Sequence, residues 1–237
     1  YNNSYTAASV AALSATGNPG VLKKSTLEYV KPETVKALEL GYRSLIKDFS
    51  VDINGYYNIY NDFIGNINVV APYYGKAMDA PSATGGPTDL GTQSIHALQT
   101  SNYRAYQLYT NTSIEIQSLG FGLGVSRKVY KDFEVGVNYN FAEFKFDQAP
   151  GEDFQAGFNT PKHRVKASFW NEKLFKNFGF NLAWRWSDSY FWQATFGDGD
   201  VPSYHTVDAQ LSYSLPKFKS LIKIGATDVL GDEYFTA

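Results

Sequence analysis

The chain has 237 residues, a formal charge of -2, no cysteine, 16 % aromatic residues and a mean hydropathy of -0.31. Near-balanced charge excludes a global field that would gather nucleic acid. The lack of cysteine excludes a disulfide frame, a thiol nucleophile and cysteine-ligated metal.

The best apolar stretch, Ala7 to Leu13, is short and interrupted by Ser9, far from the roughly 20 residues of a membrane helix. A regular pattern begins after Lys31-Pro32-Glu33. Leu38, Leu40 and Tyr42 alternate with Glu39, Gly41 and Arg43, a period of two that predicts a strand with one wet face. Lys47-Asp48 is a short turn. Phe49, Val51, Ile53, Gly55, Tyr57 and Ile59 then alternate with Ser50, Asp52, Asn54, Tyr56, Asn58 and Tyr60. That run outlasts the usual globular strand and matches the roughly 9–11 residues of a tilted strand crossing a bilayer. From Asn66 to Ser101 the chain reads as one long irregular loop with Pro72, Pro81, Gly85-Gly86-Pro87 and Gly91.

Order returns near Tyr103. Leu119 to Val125 alternate with Gly120, Gly122 and Gly124, Lys128 to Asp132 turn, and Phe133 to Phe141 alternate with Glu134, Gly136, Asn138 and Asn140. After a polar loop from Asp147 to Thr160 come Val165, Ala167 and Phe169, a turn from Asn171 to Asn177, and Phe178 to Trp186. A third loop, Ser187 to Ser203, holds Gly197-Asp198-Gly199-Asp200. Val207 to Leu215, a turn at Pro216-Lys217 and Ile222 to Ala226 complete the pattern.

The expectation is about eight antiparallel strands whose connections alternate short and long. Transmembrane barrels are connected this way, with short periplasmic turns and long extracellular loops. A soluble β ligand-binding protein shows the same alternation with its faces exchanged, and eight strands are also enough for a small closed barrel or a passive porin. Three readings favour lipid outside. Trp170 beside a short turn, with Trp184 and Trp186 a membrane's height away, has the spacing of two aromatic girdles. Glu39, Arg43, Asp52, Glu134, Arg185, Asp208 and Lys223 fall on the polar face, where a hydrated lumen would receive them. No helix is evident that could cover a sheet, and backbone groups in lipid require closure without edges.

Several segments, in order, resemble TonB-dependent outer-membrane receptors. Lys31-Pro32-Glu33 with Leu38-Glu39-Leu40-Gly41-Tyr42-Arg43 resembles their K-P-E … E-x-G-Y-K strand start. Phe49 to Phe63 resembles the next strand, Asn159-Thr160-Pro161-Lys162-His163 an N-x-P-x-H lead-in, and Tyr204-His205-Thr206-Val207-Asp208 a Y-x-x-V-D strand. Gly225 to Tyr234 resembles the G-x-x-N-L segment before the last strand, with Asp228 where the family usually has Asn. The resemblance implies an all-β, antiparallel transmembrane barrel, with residues 1–237 a partial barrel domain of about 22 strands that lacks the plug and the final strand. It also implies uptake of an external ligand (iron chelate, glycan, peptide or vitamin) across the outer membrane of a Gram-negative bacterium. The implied partners are membrane lipid, the TonB complex through a missing N-terminal region, a surface lipoprotein and the transported ligand. No cofactor and no enzymatic role is implied.

Chemistry-bearing motifs are sparse. Gly120, Gly122 and Gly124 have no following helix and read as small residues in a crowded lumen rather than a phosphate loop. His96, His163 and His205 lack metal-ligand spacing. The loops offer aromatic rings, Tyr73, Tyr74, Phe154, Phe158, Phe191, Trp192 and Phe196, as a candidate ligand vestibule. Charge is unevenly placed. The second and third loops hold Glu152, Asp153, Asp188, Asp198 and Asp200, while the short turns hold Lys128, Lys131, Lys173, Lys176, Lys217 and Lys219.

Overall fold

A computed structural model describes residues 3–78, 90–147, 157–194 and 197–231. In chain order the elements are β1 (Tyr5–Thr6), α1 (Ala7–Thr16), β2 (Thr34–Ile46), β3 (Phe49–Asn61), β4 (Ile64–Pro72), α2 (Leu90–Gln99), β5 (Tyr103–Asn111), β6 (Ile116–Tyr130), β7 (Phe133–Lys145), β8 (His163–Phe175), β9 (Phe178–Ser187), β10 (Tyr190–Ala194), β11 (Gly197–Val201), β12 (Tyr204–Leu215) and β13 (Ser220–Ala226). They form two units. Residues 1–35, 60–116 and 146–157 make the first, and residues 36–59, 117–145 and 158–237 the second.

The second unit is built on one eight-stranded sheet in the order β13-β12-β9-β8-β7-β6-β3-β2. These are the eight strands that the period-two pattern predicts. Each neighbour is its partner across a hairpin or a long connection, so the sheet is an antiparallel meander. β2, β3, β7 and β8 have 13 residues each and β6 has 15, enough to cross a bilayer as tilted strands. Its short turns are Lys47-Asp48, Lys131-Asp132, Lys176-Asn177 and Pro216–Lys219, each with its last or first lysine in the left-handed region. β8 runs on to Phe175 through a register shift after Asn171, so the expected turn from Asn171 narrows to two residues.

The first unit departs from the expected long loop. Its three-stranded sheet has the order β1-β4-β5, and β4 pairs with β5 from Ile64↔Asn111 to Pro72↔Tyr103. Helices α1 and α2 both contact β4, so helices that cover a sheet do exist here. Tyr5, Val10, Leu13, Leu22, Val70, Ala77, Ile95 and Leu98 close into a buried cluster. β4 escapes a period-two reading because both of its faces are covered: consecutive Val69 and Val70 are both buried. α1 is an alanine-rich segment, favourable for helix. Its N-cap is Thr6, whose Oγ1 accepts from Ser9 N at 3.4 Å, and Gly17 ends it at φ 66°. Gly75, at φ 82°, is needed where the chain passes α2, since a Cβ there would lie 2.3 Å from Ser94 N.

Candidate functional site

The strand register sorts the second unit into two faces. Val137 stands opposite Ala167, which stands opposite Trp184, which stands opposite Val207. Leu40, Ile53, Phe121, Val135, Val137, Leu182, Leu211 and Ile224 belong to the same apolar face. They remain exposed, from 38 % for Val135 and 44 % for Leu182 to 81 % for Leu40. Soluble monomers rarely leave contiguous apolar patches beyond roughly a few hundred Å². A row across eight strands, with no second layer on it among the described residues, is a contiguous patch of that kind.

The opposite face is polar and crowded in its middle. Gly120, Gly122 and Gly124 on β6 lie under side chains of β3 and β7. A Cβ on Gly120 would meet the Tyr56 ring at 2.5 Å, and one on Gly122 would meet the Asn54 amide at 3.0 Å. The glycines make room for Tyr56, Asn54 and Asn138 to lean across. Asp52 accepts from Arg43 Nε at 2.7 Å, and Arg185 pairs with Asp208. Asp208 also accepts from the Asp228 backbone N–H at 3.2 Å. Glu134 stands opposite Lys128 on one side and Trp170 on the other. Glu39 shares its strand face with Arg43. Lys223 stands opposite Ser212, so the seven charged residues expected on the polar face are on one face of the sheet, four of them in two ion pairs.

Trp170 corrects the girdle reading. It pairs with Glu134 and Asn181, so it lies on the polar face, and its ring covers Gly136 with a closest approach of 3.1 Å to the position of a Cβ. Trp184 and Trp186 do lie on the apolar face. The alternation of Ser168, Lys166 and Arg164 with Phe169 and Val165 already places residue 170 with the polar set. Lys166 falls on the polar side by the same alternation but is absent from the candidate site residues; it stands between Asn138 and Arg185 in register. It lines an open cavity of about 440 Å³ with Ser50, Asp52, Asn138, Trp170 and Glu172.

The loop aromatics separate by environment. Tyr74 donates to or accepts from His96 Nδ1 at 2.7 Å and so ties the end of β4 to α2. Tyr73 beside it is exposed. Both belong to the first unit. In the second, Phe158 stacks on Phe144 with ring centroids 3.8 Å apart. Trp192 and Tyr190 share a face of the β10–β11 hairpin at 6.4 Å, and the Trp192 indole N–H is buried without a hydrogen-bond partner. Burial, with Tyr204 nearby, raises the Tyr190 phenol above its ordinary range. Phe191 on the other face is exposed. Phe154 and Phe196 lie outside the described residues, as do Glu152 and Asp153. Among the described residues no group of three or more His, Cys, Asp or Glu could hold a metal ion.

The motifs quoted from the sequence are clasps. Asn111 Oδ1 accepts from Lys31 N at 2.6 Å while its Nδ2 donates to Lys31 O at 2.9 Å, and Glu33 Oε2 accepts from Ile64 N at 3.2 Å. Asn159 does the same to Gln193, accepting from its N at 2.8 Å and donating to its O at 3.0 Å. His163 Nδ1 is hydrogen-bonded to Tyr139 OH at 2.7 Å.

A family model described as TonB dependent receptor-like, beta-barrel, matches residues 1–227. The chain belongs to the TonB-dependent receptor β-barrel family. Among solved structures it is similar to the copper transporter OprC, with 14 % identity, 88 % of this chain and 27 % of that chain covered, and a TM-score of 0.57. The FrpB iron transporter from Neisseria meningitidis (F5-1 variant) shows 12 % identity over 90 % of this chain and 29 % of its own, with a TM-score of 0.58. The pyoverdine outer membrane receptor FpvA from Pseudomonas aeruginosa PAO1 shows 11 % identity over 90 % and 28 %, with a TM-score of 0.53. At such identities the likeness is one of fold, and the chain spans less than a third of each neighbour. No curated protein matches it in sequence. TonB-dependent receptors are Gram-negative outer-membrane proteins, and the family and these neighbours are receptors or transporters rather than enzymes.

Proposed function

We propose that this chain supplies barrel wall and extracellular loops to an outer-membrane receptor that imports an external ligand with energy from TonB. The observation that carries the reading is the uncovered apolar face of the eight-stranded sheet, backed by a polar face with internal ion pairs. In lipid the first face replaces a soluble core, and the second borders a hydrated passage. The ligand classes are iron or copper chelates, cobalamin, glycans and peptides. Names of the neighbours favour the metal chelates, since copper, iron and pyoverdine are what those proteins carry or bind. TonB is proposed as a partner from the family the chain belongs to, and a surface lipoprotein as a further one.

Of the loop rings, Trp192 is the strongest candidate ligand contact, because its indole N–H has no partner among the described residues. Exposed Phe191 flanks it, and Tyr73 is a separate candidate on the first unit. Tyr74 and Phe158 are engaged in holding their own loops.

The test is uptake by cells that express the full-length receptor, in matched strains with and without TonB, over a panel of ferric chelates, copper, cobalamin, oligosaccharides and peptides. The expected result is uptake of one class that stops without TonB. Uptake that continues unchanged without TonB would establish a passive pore and sink the proposal. Trp192→Ala is expected to weaken ligand binding about tenfold, the effect of an aromatic contact worth roughly 1–2 kcal/mol, while leaving barrel assembly intact.

A further inference from the structure

Every short turn of the eight-stranded sheet carries a lysine with positive φ: Lys47 at 57°, Lys131 at 49°, Lys176 at 46° and Lys219 at 48°. Glycine or asparagine takes that conformation more readily, so turn geometry alone does not account for four lysines. All four side chains are exposed. The residue before each is a large exposed apolar one, Ile46, Tyr130, Phe175 and Phe218. Tyr130 pairs with Phe133 and Phe175 with Phe178, which places both rings on the apolar face at its rim.

The neighbouring acids are already taken. Asp48 faces Arg127 at 4.0 Å, and Asp132 faces Lys128 at 3.8 Å. Lys47 and Lys131 are thereby left without a carboxylate partner among the described residues. Lys131 lies 5.1 Å from the Tyr130 ring centre, and Arg127 lies 4.7 Å from that of Phe49. A ring at the edge of an apolar band with an ammonium just beyond it is the arrangement that seats an aromatic among headgroups and carries the charge to phosphate level.

We infer that the short-turn end of the sheet is a binding surface for anionic phospholipid headgroups, with Lys47, Lys131, Lys176 and Lys219 each reaching a lipid phosphate. The inference rests on the proposed membrane reading. Spacing supports it: the four turns recur once per hairpin at the same end of the sheet, so the lysines are spread along that end rather than gathered in a single pocket. Such a spread suits a leaflet of many identical headgroups, whereas one soluble anion would need the charges to converge.

The experiment uses the full-length receptor reconstituted in vesicles of phosphatidylcholine or phosphatidylglycerol. The receptor carries Tyr130→Trp, a reporter on the rim beside Lys131. Brominated lipid of either kind is scored by the quenching that this substitution adds, and the unaltered receptor of the comparisons is the one that keeps all four lysines. The expected result is quenching by both lipids, with phosphatidylglycerol favoured about fivefold at low salt and the preference lost at about 0.5 M salt. Replacing the four lysines together by glutamine (K47Q, K131Q, K176Q and K219Q) is expected to bring the ratio to about one, and the four Lys→Arg changes to keep it. Quenching by neither lipid would overturn the membrane reading itself. Equal quenching by both in the unaltered receptor, or a ratio untouched by salt or by the glutamine changes, would overturn the lysine inference and leave the membrane reading standing. Should the glutamine variant fail to fold, the salt titration of the unaltered receptor decides.

Discussion

Val69 and Val70 on β4 are both buried, while Val135 and Val137 on β7 both stand open. The first pair lies in a unit where two helices and a small sheet enclose their apolar side chains. The second lies in a sheet whose apolar side chains stay exposed among the described residues. One polypeptide thus follows two solvation rules. In the first unit water drives Leu13, Ile95 and Leu98 together. In the second the apolar side chains match a surrounding that is itself apolar, and stability must come from the continuous ladder of backbone hydrogen bonds and close packing along the strands. The difference teaches that burial, normally the mark of a core, is here a marker of which solvent each segment was built for.

The comparison breaks if charge is tolerated on the open face. Val137→Lys together with Leu182→Lys should cost about 2–4 kcal/mol each at mid-membrane depth, read as loss of the folded, heat-modifiable band of the full receptor in lipid vesicles. A loss below about 0.5 kcal/mol, the ordinary surface value, would mean that this face meets water. In the first unit, Leu13→Ala should cost about 2–5 kcal/mol, but locally. Hydrogen exchange should accelerate in α1, α2 and β5 and remain slow in β7, β8 and β9. Equal acceleration everywhere would show that the two units unfold as one.

Two smaller substitutions sharpen the polar face. Gly120→Ala should cost about 1–3 kcal/mol by displacing the Tyr56 ring. The cost should shrink when Tyr56 is also changed to Ser; an unchanged cost would assign the strain to backbone instead. Asp228 has φ 49° and a buried Oδ1 without a partner among the described residues. Asp228→Asn should therefore stabilise by about 1 kcal/mol, since an uncharged amide suits both the left-handed conformation and the site. Chemical denaturation of the refolded receptor measures it, and a destabilised variant would show that the carboxylate has a role the geometry does not display.

The eight sheet strands were legible in the sequence because one face of each is apolar and the other polar, so that period two survives within each of them. The same signal failed on β4, where Val69 and Val70 are both covered and the alternation disappears. It failed on α2 because Ile95 and Leu98 are its only large buried apolar residues, too few to announce a helix. α1 was visible as an apolar stretch, and its alanines, Thr6 cap and Gly17 stop went unused. Among candidate site residues, the charged set of the polar face was readable by parity alone. Tyr74 and Phe158 looked available because a sequence does not show that His96 and Phe144 already occupy them.

Asn159 holds the β10–β11 hairpin through the main chain of residue 193 alone, touching an amide and a carbonyl that any amino acid would present. Asn111 grips residue 31 in the same manner. An anchorage indifferent to side-chain identity lets the outermost residues be exchanged for others while their footing stays put. Substitutions can then change the surface that the hairpin presents without first redesigning the platform beneath.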